Sequence, residues 1–316
     1  MPSLACHRRP VTELPKVSIG ARSTPADWHP VTVSSATPSA AVVIPAHNES
    51  AVIGDLLRQL GDHPDLHIVV ACNGCTDDTA AVARAVAPGA TILEIAEASK
   101  HRALEAGDTA ATAFPRLYVD GDVVIDRASV DLLVAALAAP RVHAVAPERR
   151  LDTTAASRPV RAYLDVWQTL PAVREGLYGR GVLAVDEDGH GRITPRPPVM
   201  GDDLYVHQQF GDDERRVVLG AICVVKSPRT LSALIARRTR AALGNTELGQ
   251  PAPHHRGGSS TRAALAFGQR HPFQSWKVLV FAGVTVTARM RARQMRRTGQ
   301  TTWLRDETSR GGAKRR

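Results

Sequence analysis

The sequence predicts an α/β fold with a mainly parallel central sheet and helices on both faces. Two observations carry that prediction. Short, almost wholly apolar runs alternate with helical stripes over about residues 40–147, as strands buried on both faces and joined by crossover helices do. Polar clusters then follow three of those runs, at His47-Asn48-Glu49, Asn73 to Asp78 and Asp120 to Asp122. In such sheets ligands gather at the carboxyl ends of the strands.

The elements follow in order. Ala40-Ala41-Val42-Val43-Ile44, ended by Pro45, is the first strand. Ile53, Leu56, Leu57 and Leu60 then fall at i, i+3, i+4 and i+7, one stripe of a helix, with Asn48 and Ser50 as candidate caps. Ile68 to Ala71 is the second strand, and an alanine-rich helix runs from about Asp77 to Val86. Thr91 to Ile95, Ala103 to Phe114 and Leu117 to Val119 read as strand, helix and strand. A helix from Ser129 to Ala139 and strands at His143 to Pro147 and Val217 to Val225 come next, then a basic amphipathic helix from Leu231 to Leu243. Ser157 to Gly181 is mixed and closes with Gly176, Gly179 and Gly181, while Gln250 to Ser260 has a linker's Pro/Gly/His/Ser composition.

Charge is uneven. Residues 289–316 hold ten Lys or Arg and two acids, which accounts for +8 of the net +9. The high pI therefore belongs to a tail, and with aromatic residues at 4% the body does not read as a nucleic-acid binder. Cys72-Asn73-Gly74-Cys75 has the spacing of a redox pair or half a zinc site, but no second Cys/His pair accompanies it. Two turn cysteines in a reducing compartment is the plainer reading. Residues 1–39 read as a flexible extension without signal-peptide patterning. The longest apolar stretch, Val278 to Ala288, is too short to span a bilayer.

The chemistry starts at Asp120-Gly121-Asp122. Two carboxylates one residue apart at the end of a buried strand suit a hard divalent cation that also holds a diphosphate; a solvated strand-end turn is the plain alternative. The runs VVIPAHNESAVIGDLLRQL and VVACNGCTDDT, then Lys100, YVDGDV and MGDDLYV, come in an order and spacing that resembles the family 2 glycosyltransferases of the GT-A fold. The resemblance covers about residues 40–245, leaving 246–275 as a linker and 276–316 as an apolar-then-basic C-terminal segment. It implies inverting transfer of a sugar from a nucleotide-diphosphate donor to an acceptor hydroxyl (glycan, lipid-linked sugar or small molecule), assisted by Mg²⁺ or Mn²⁺. It points to cell-surface glycan or glycolipid synthesis. The Gln-x-x-Arg-Trp motif of processive members is absent.

The same resemblance assigns roles. Pro45, His47, Asn48 and Glu49 would receive the nucleoside, Glu49 accepting from ribose hydroxyls. Asn73 would face the base where relatives carry Asp, and Lys100 would approach the donor phosphates. Asp122 would bind the metal and Asp120 the metal or ribose. Asp203 would be the general base, with Asp202 holding its loop. Arg238, with Arg237 and Arg240, would reach the diphosphate or form a solvated basic face. Asp77 and Asp78 would hold the loop or cap the next helix. A sugar nucleotidyltransferase is disfavoured by the missing Gly-rich loop after the first strand, and a dehydrogenase by the missing Gly-x-Gly-x-x-Gly. A non-catalytic binding module of the same fold is opposed by the intact Asp120, Asp122 and Asp203. The chain reads as cytoplasmic. Its segment 276–316 is either a peripheral contact at the inner face of the cell membrane or a helix packed on the body with a basic end.

Overall fold

The computed structural model describes residues 38–248 and 257–298. Residues 1–37 of the expected N-terminal extension, 249–256 of the expected linker and 299–316 of the basic tail lie outside the described residues. The first half alternates as expected: β1 (Ala40–Ala46), α1 (Ile53–Leu60), β2 (Leu66–Asn73), α2 (Thr79–Val86), β3 (Thr91–Ile95), α3 (Lys100–Ala110) and β4 (Arg116–Val119). Then come β5 (Val124–Ile125), α4 (Arg127–Leu137), β6 (Ala144–Asp152), α5 (Arg158–Trp167), α6 (Pro171–Glu175) and β7 (Val182–Val185). The chain continues through α7 (Glu187–Ile193), α8 (Asp202–Gln208), β8 (Arg215–Lys226) and α9 (Leu231–Glu247). Helices α10 (Gly257–Arg270) and α11 (Trp276–Thr298) complete the described residues.

The strands form one sheet in the order β3-β2-β1-β4-β7-β6-β8-β5. The half from β3 to β4 is parallel throughout. Beyond β4 the sheet is mixed, since β7 pairs antiparallel with β4 and β6, and β5 antiparallel with β8. Since β6 pairs parallel with β8, four of the seven pairings are parallel and the expectation of a mainly parallel sheet holds, with antiparallel pairings at β7 and β5. The four-residue β7, Val-Leu-Ala-Val, is too short to show a strand period in the sequence.

Alternation fixes the faces of the sheet. Val42, Ile44 and Val70 pack with Leu56, Leu57 and Leu60 of α1, while Val43 and Val69 pack with Leu104 of α3 on the other side. Every residue of β1 is buried, so each large apolar side chain contributes about 1.5–3 kcal/mol of burial. This double burial explains why the strand is a continuous apolar run rather than an alternating one.

Two local expectations change. Asn48 and Ser50 do not cap α1, which has no side-chain cap. Asn48 sits at φ 53°, and its Oδ1 accepts from the Thr76 backbone N–H at 2.8 Å. Ser50 N–H donates to Asp77 Oδ2 at 3.1 Å, so these residues tie the β1 loop to the β2 loop. Asp77 also accepts from the backbone N–H of Thr79 at the start of α2, while Asp78 makes no side-chain cap. Residues 257–270, placed in a linker by their Gly-Gly-Ser-Ser start, are helical, because Thr261 to Arg270 is rich in helix formers. Helix α11 packs on α5 and α9, burying Val284, Ala288 and Ala292. None of the described helices is long and apolar enough to cross a membrane.

Candidate active site

Strands β1, β2 and β4 run the same way and end level with one another. Ala46 pairs with Cys72, and the β1–β4 register sets Val43 against Tyr118. Continued past β4, that register brings Gly121 beside Ala46. A Cβ on Gly121 would lie 3.7 Å from the Ala46 Cβ and 3.3 Å from Glu49 Cγ, so the Asp120-Gly121-Asp122 turn lies directly against the β1 loop. The resulting cleft of about 1490 Å³ is lined by Pro45, His47, Glu49, Asn73, Asp120 and Asp122 on one side. Asp202, Asp203, Tyr178, Trp167 and Arg238 line it elsewhere, and α10 and α11 supply a further wall that includes Leu265, Phe281, Val286 and Arg293.

Each expected residue has a definite setting. His47 Nδ1 is 2.5 Å from the carbonyl oxygen of Asn73, to which it donates. Asn73 is buried, and its Nδ2 donates to the Ala46 carbonyl at 2.9 Å, fastening β2 to β1 at the cleft floor. The buried Glu49 donates its backbone N–H to Thr79 Oγ1 at 2.8 Å, and Pro45 is the penultimate residue of β1. Lys100 opens α3, whose cap is Ser99. Its Nζ lies 2.7 Å from Asp120 Oδ1 and 3.0 Å from Asp202 Oδ2, so one ammonium joins two acidic pairs that are remote in sequence. Asp202 and Asp203 begin α8. Asp203 Oδ2 accepts from the Gly179 N–H at 2.5 Å and Oδ1 from Leu204 N–H at 2.8 Å.

That Gly179 contact depends on a glycine-rich turn. Gly179 and Gly181 adopt φ of 68° and 66°, which L side chains rarely take. A Cβ on Gly181 would meet Val123 Cγ2 at 2.4 Å and Asp120 Oδ2 at 3.2 Å. The turn thereby touches Asp120 at one end and Asp203 at the other.

Electrostatics makes the cluster receptive to cations. Burial in the cleft wall pushes the Asp120 carboxyl above its ordinary range against the pull of Lys100, with Asp122 and Asp202 adding repulsion. Burial likewise raises Asp203, reinforced by the charge of Asp202. Burial alone would lower Lys100, but Asp120 and Asp202 outweigh it and hold its ammonium charged. Lys100 and Asp120 are both about a third exposed to cleft water, at 36% and 39%, so solvent screens part of these effects. Asp120, Asp202 and Asp203 act on the one ammonium and Asp122 adjoins Asp120, so carboxylates outnumber it locally, and each of them offers oxygen ligands. That donor set fits Mg²⁺ or Mn²⁺.

A second group, His143, Asp186 and Asp188, brings ligand atoms within 4.8 Å of one another. It lies just past the Val185 end of β7, which pairs with Arg116 at the start of β4, opposite the end that carries Asp120. Asp186 already uses Oδ2 on His143 at 2.9 Å and Oδ1 on the Gly189 N–H at 2.7 Å, so its carboxylate fastens α7. Cys72 and Cys75 are free thiols, and burial pushes Cys72 up to about 12, which fits a structural role.

Sequence reasoning missed Arg149, Trp167 and the α10–α11 wall. Arg149 and Trp167 sit in stretches without readable pattern and meet only through the fold. Arg238 was expected near the diphosphate; it lines the cleft with its guanidinium 5.3 Å from the Trp167 ring centroid.

Residues 38–175 match the family model described as glycosyltransferase like family 2. The fold is similar to that of the mannosyltransferase PcManGT from Pyrobaculum calidifontis, solved with GDP-Man and Mn²⁺. The TM-score is 0.58 at 18% identity, over 81% of this chain and 87% of that one. It is also similar to glucosyl-3-phosphoglycerate synthase from Mycobacterium tuberculosis, solved with Mn²⁺, UDP and glucosyl-3-phosphoglycerate. There the TM-score is 0.51 at 22% identity, over 68% of this chain and 82% of that one. No curated protein matches the sequence. Over residues 38–175 the chain is thus similar to the family 2 glycosyltransferases, and its fold is that of the two glycosyltransferase structures.

Proposed function

We propose that the cleft transfers a glycosyl group from a nucleoside-diphosphate sugar to an acceptor hydroxyl with inversion at the anomeric carbon. The observation that carries this reading is that Lys100 bridges Asp120, at the carboxyl end of β4, to Asp202, at the start of α8, with Asp122 and Asp203 lining the same cleft. The GDP-Man and Mn²⁺ complex of one similar structure and the UDP and Mn²⁺ complex of the other support it. The pocket floor of Pro45, His47, Glu49 and Asn73 receives the nucleoside, while Asn48, which does not line the cleft, ties the β1 loop to Thr76. Lys100 faces the diphosphate. Asp203 takes the acceptor proton as the acceptor oxygen bonds to the anomeric carbon. The bond from that carbon to the diphosphate oxygen breaks, and its electron pair leaves with the nucleotide. Asp122 and Asp120 would hold a divalent cation, which would supply positive charge beside the departing diphosphate.

A thermal-shift screen of UDP-, GDP- and dTDP-sugars with and without Mn²⁺ tests the reading. A donor at 100 times its Kd adds about 2.7 kcal/mol, or about 5–10 °C for a chain of this size. Asp122→Ala should abolish the Mn²⁺-dependent part of that shift and the turnover. Retained Mn²⁺ dependence in the variant contradicts the metal assignment.

A specific observation favours peripheral membrane contact as well. Trp276, Leu279 and Met290 share one side of α11, and all are exposed, Leu279 at 75%. Phe273, just before the helix, is 96% exposed, and Arg289, Arg293, Arg296 and Arg297 follow on the same helix. Apolar side chains flanked by arginines suit an anionic leaflet, each cation near it adding about 1 kcal/mol. Because α11 is also packed on the body, point substitutions are a better test than truncation. Leu279→Ser with Met290→Ser should abolish flotation with phosphatidylserine vesicles. Unchanged flotation, or none in the wild type, refutes the contact.

A further inference from the structure

Four guanidiniums gather beside Trp167 and Tyr178. Arg149, from β6, lies 4.4 Å from the Trp167 ring centroid, and Arg238, from α9, lies 5.3 Å from the same ring. Arg237 donates to the Lys226 carbonyl at 3.3 Å. Buried Arg180 is spent on backbone carbonyls, those of Gly176, Pro147, Val173 and Arg174. Arg149 donates one N–H to the Gly179 carbonyl at 2.9 Å, and its buried Nε has no hydrogen-bond partner. Among the described residues none of the four has a carboxylate at ion-pair distance.

Such a gathering is unfavourable by itself. Burial, then the charges of Arg180, Arg237 and Arg238, pull Arg149 down to about 9. An entering oxyanion would relieve that repulsion, and planar guanidinium forks match carboxylate or phosphate oxygens two at a time. The place of the cluster says which substrate brings the anion. Gly179 donates its N–H to Asp203, and its carbonyl, in the next peptide group, accepts from Arg149. Tyr178 feels the charge of Asp203 as well as those of Arg238, Arg149 and Arg180. The arginines are thus one peptide beyond the base, while the nucleoside floor and Lys100 adjoin Asp120.

We propose that Arg237, Arg238 and Trp167, which line the cleft, together with Arg149 against the Trp167 ring, form an oxyanion subsite for the acceptor, which carries a phosphate or carboxylate near the hydroxyl that is glycosylated. The proposal rests on the glycosyl-transfer reading and names the acceptor class for it.

Inorganic phosphate and, separately, acetate are titrated into the full-length chain with tryptophan fluorescence as readout and Trp167→Phe as the assignment control. Mn²⁺–nucleotide affinity is measured on the same samples. Phosphate or acetate should bind saturably, and Arg149→Gln should weaken that binding at least tenfold while leaving Mn²⁺–nucleotide affinity within twofold. Arg237→Gln repeats the anion arm if circular dichroism shows that Arg149→Gln does not fold. Preference for phosphate or for acetate tells the two anions apart, and either supports the subsite. Absence of saturable anion binding overturns it. So does a parallel loss of nucleotide affinity in Arg149→Gln, which would assign the arginines to the donor diphosphate. Anion binding at the cluster in a chain that binds no Mn²⁺–nucleotide would sink the transferase reading and keep the subsite.

Discussion

Replacing Asp203 with Asn removes the proposed base while nearly preserving shape. Both carboxylate oxygens accept backbone N–H groups, Oδ2 from Gly179 and Oδ1 from Leu204. An amide keeps one of these bonds and sets its NH₂ against the other donor, at about 0.5–1.5 kcal/mol. Against that, the wild-type carboxylate is already disfavoured by burial and by Asp202, as its raised pKa records. The two effects oppose, so the melting temperature should move by only a few degrees. Catalysis should respond far more. Loss of a positioned base costs about 10²–10⁴ in rate, or about 3–5.5 kcal/mol at 1.36 kcal/mol per decade. The assay is nucleotide release at saturating donor and Mn²⁺, with donor affinity followed by thermal shift. The base must be deprotonated to act, so wild-type turnover should fall as pH drops through a value above the ordinary carboxylate range. Asp203→Asn should lose that limb. A variant rate within tenfold of wild type refutes the role, and Asp202 becomes the candidate.

Other outcomes follow from the same coordinates. Asp108 accepts from Tyr118 Oη at 2.8 Å and Arg116 at 3.3 Å, and its other oxygen is 3.7 Å from Arg196. Both arginine side chains are nearly inaccessible, so Asp108→Asn should cost about 3–5 kcal/mol, read as a melting-temperature loss of roughly 6–20 °C; a loss under 2 °C contradicts the network. Burial works to raise Asp108, but the His190 hydrogen bond and the Arg196 charge prevail and hold it below the ordinary range. Its stabilisation is therefore present above the unfolded-state pKa and is lost as pH falls through the lower folded value. Gly181→Ala must accommodate a Cβ 2.4 Å from Val123 Cγ2 at positive φ, costing about 1–3 kcal/mol from overpacking alone. It should also weaken Mn²⁺ affinity by displacing Asp120, and unchanged Mn²⁺ titration would refute that coupling.

What the sequence revealed is what short segments encode. The five-residue apolar run before Pro45 marks β1, and Asp120-Gly121-Asp122 marks a strand-end acidic turn, because each is decided by neighbours a few positions away. Lys100 could be placed after β3, but not its grip on Asp202, which depends on how α8 returns to the cleft. β7 escaped because four apolar residues behind a glycine turn carry no period, and with it escaped the antiparallel pairings on either side of it. Arg149 and Trp167 lie on separate elements and look like an ordinary surface arginine and an ordinary core aromatic. Their relation exists only in three dimensions. The helix at 257–270 was hidden by its glycine-serine start.

Gly179 has one last consequence. Its N–H holds Asp203 and its carbonyl holds Arg149, two adjoining peptide groups hinged at one α-carbon. If the proposed base and anion subsite stand, an acceptor that fails to engage the arginine should lose turnover number as well as affinity.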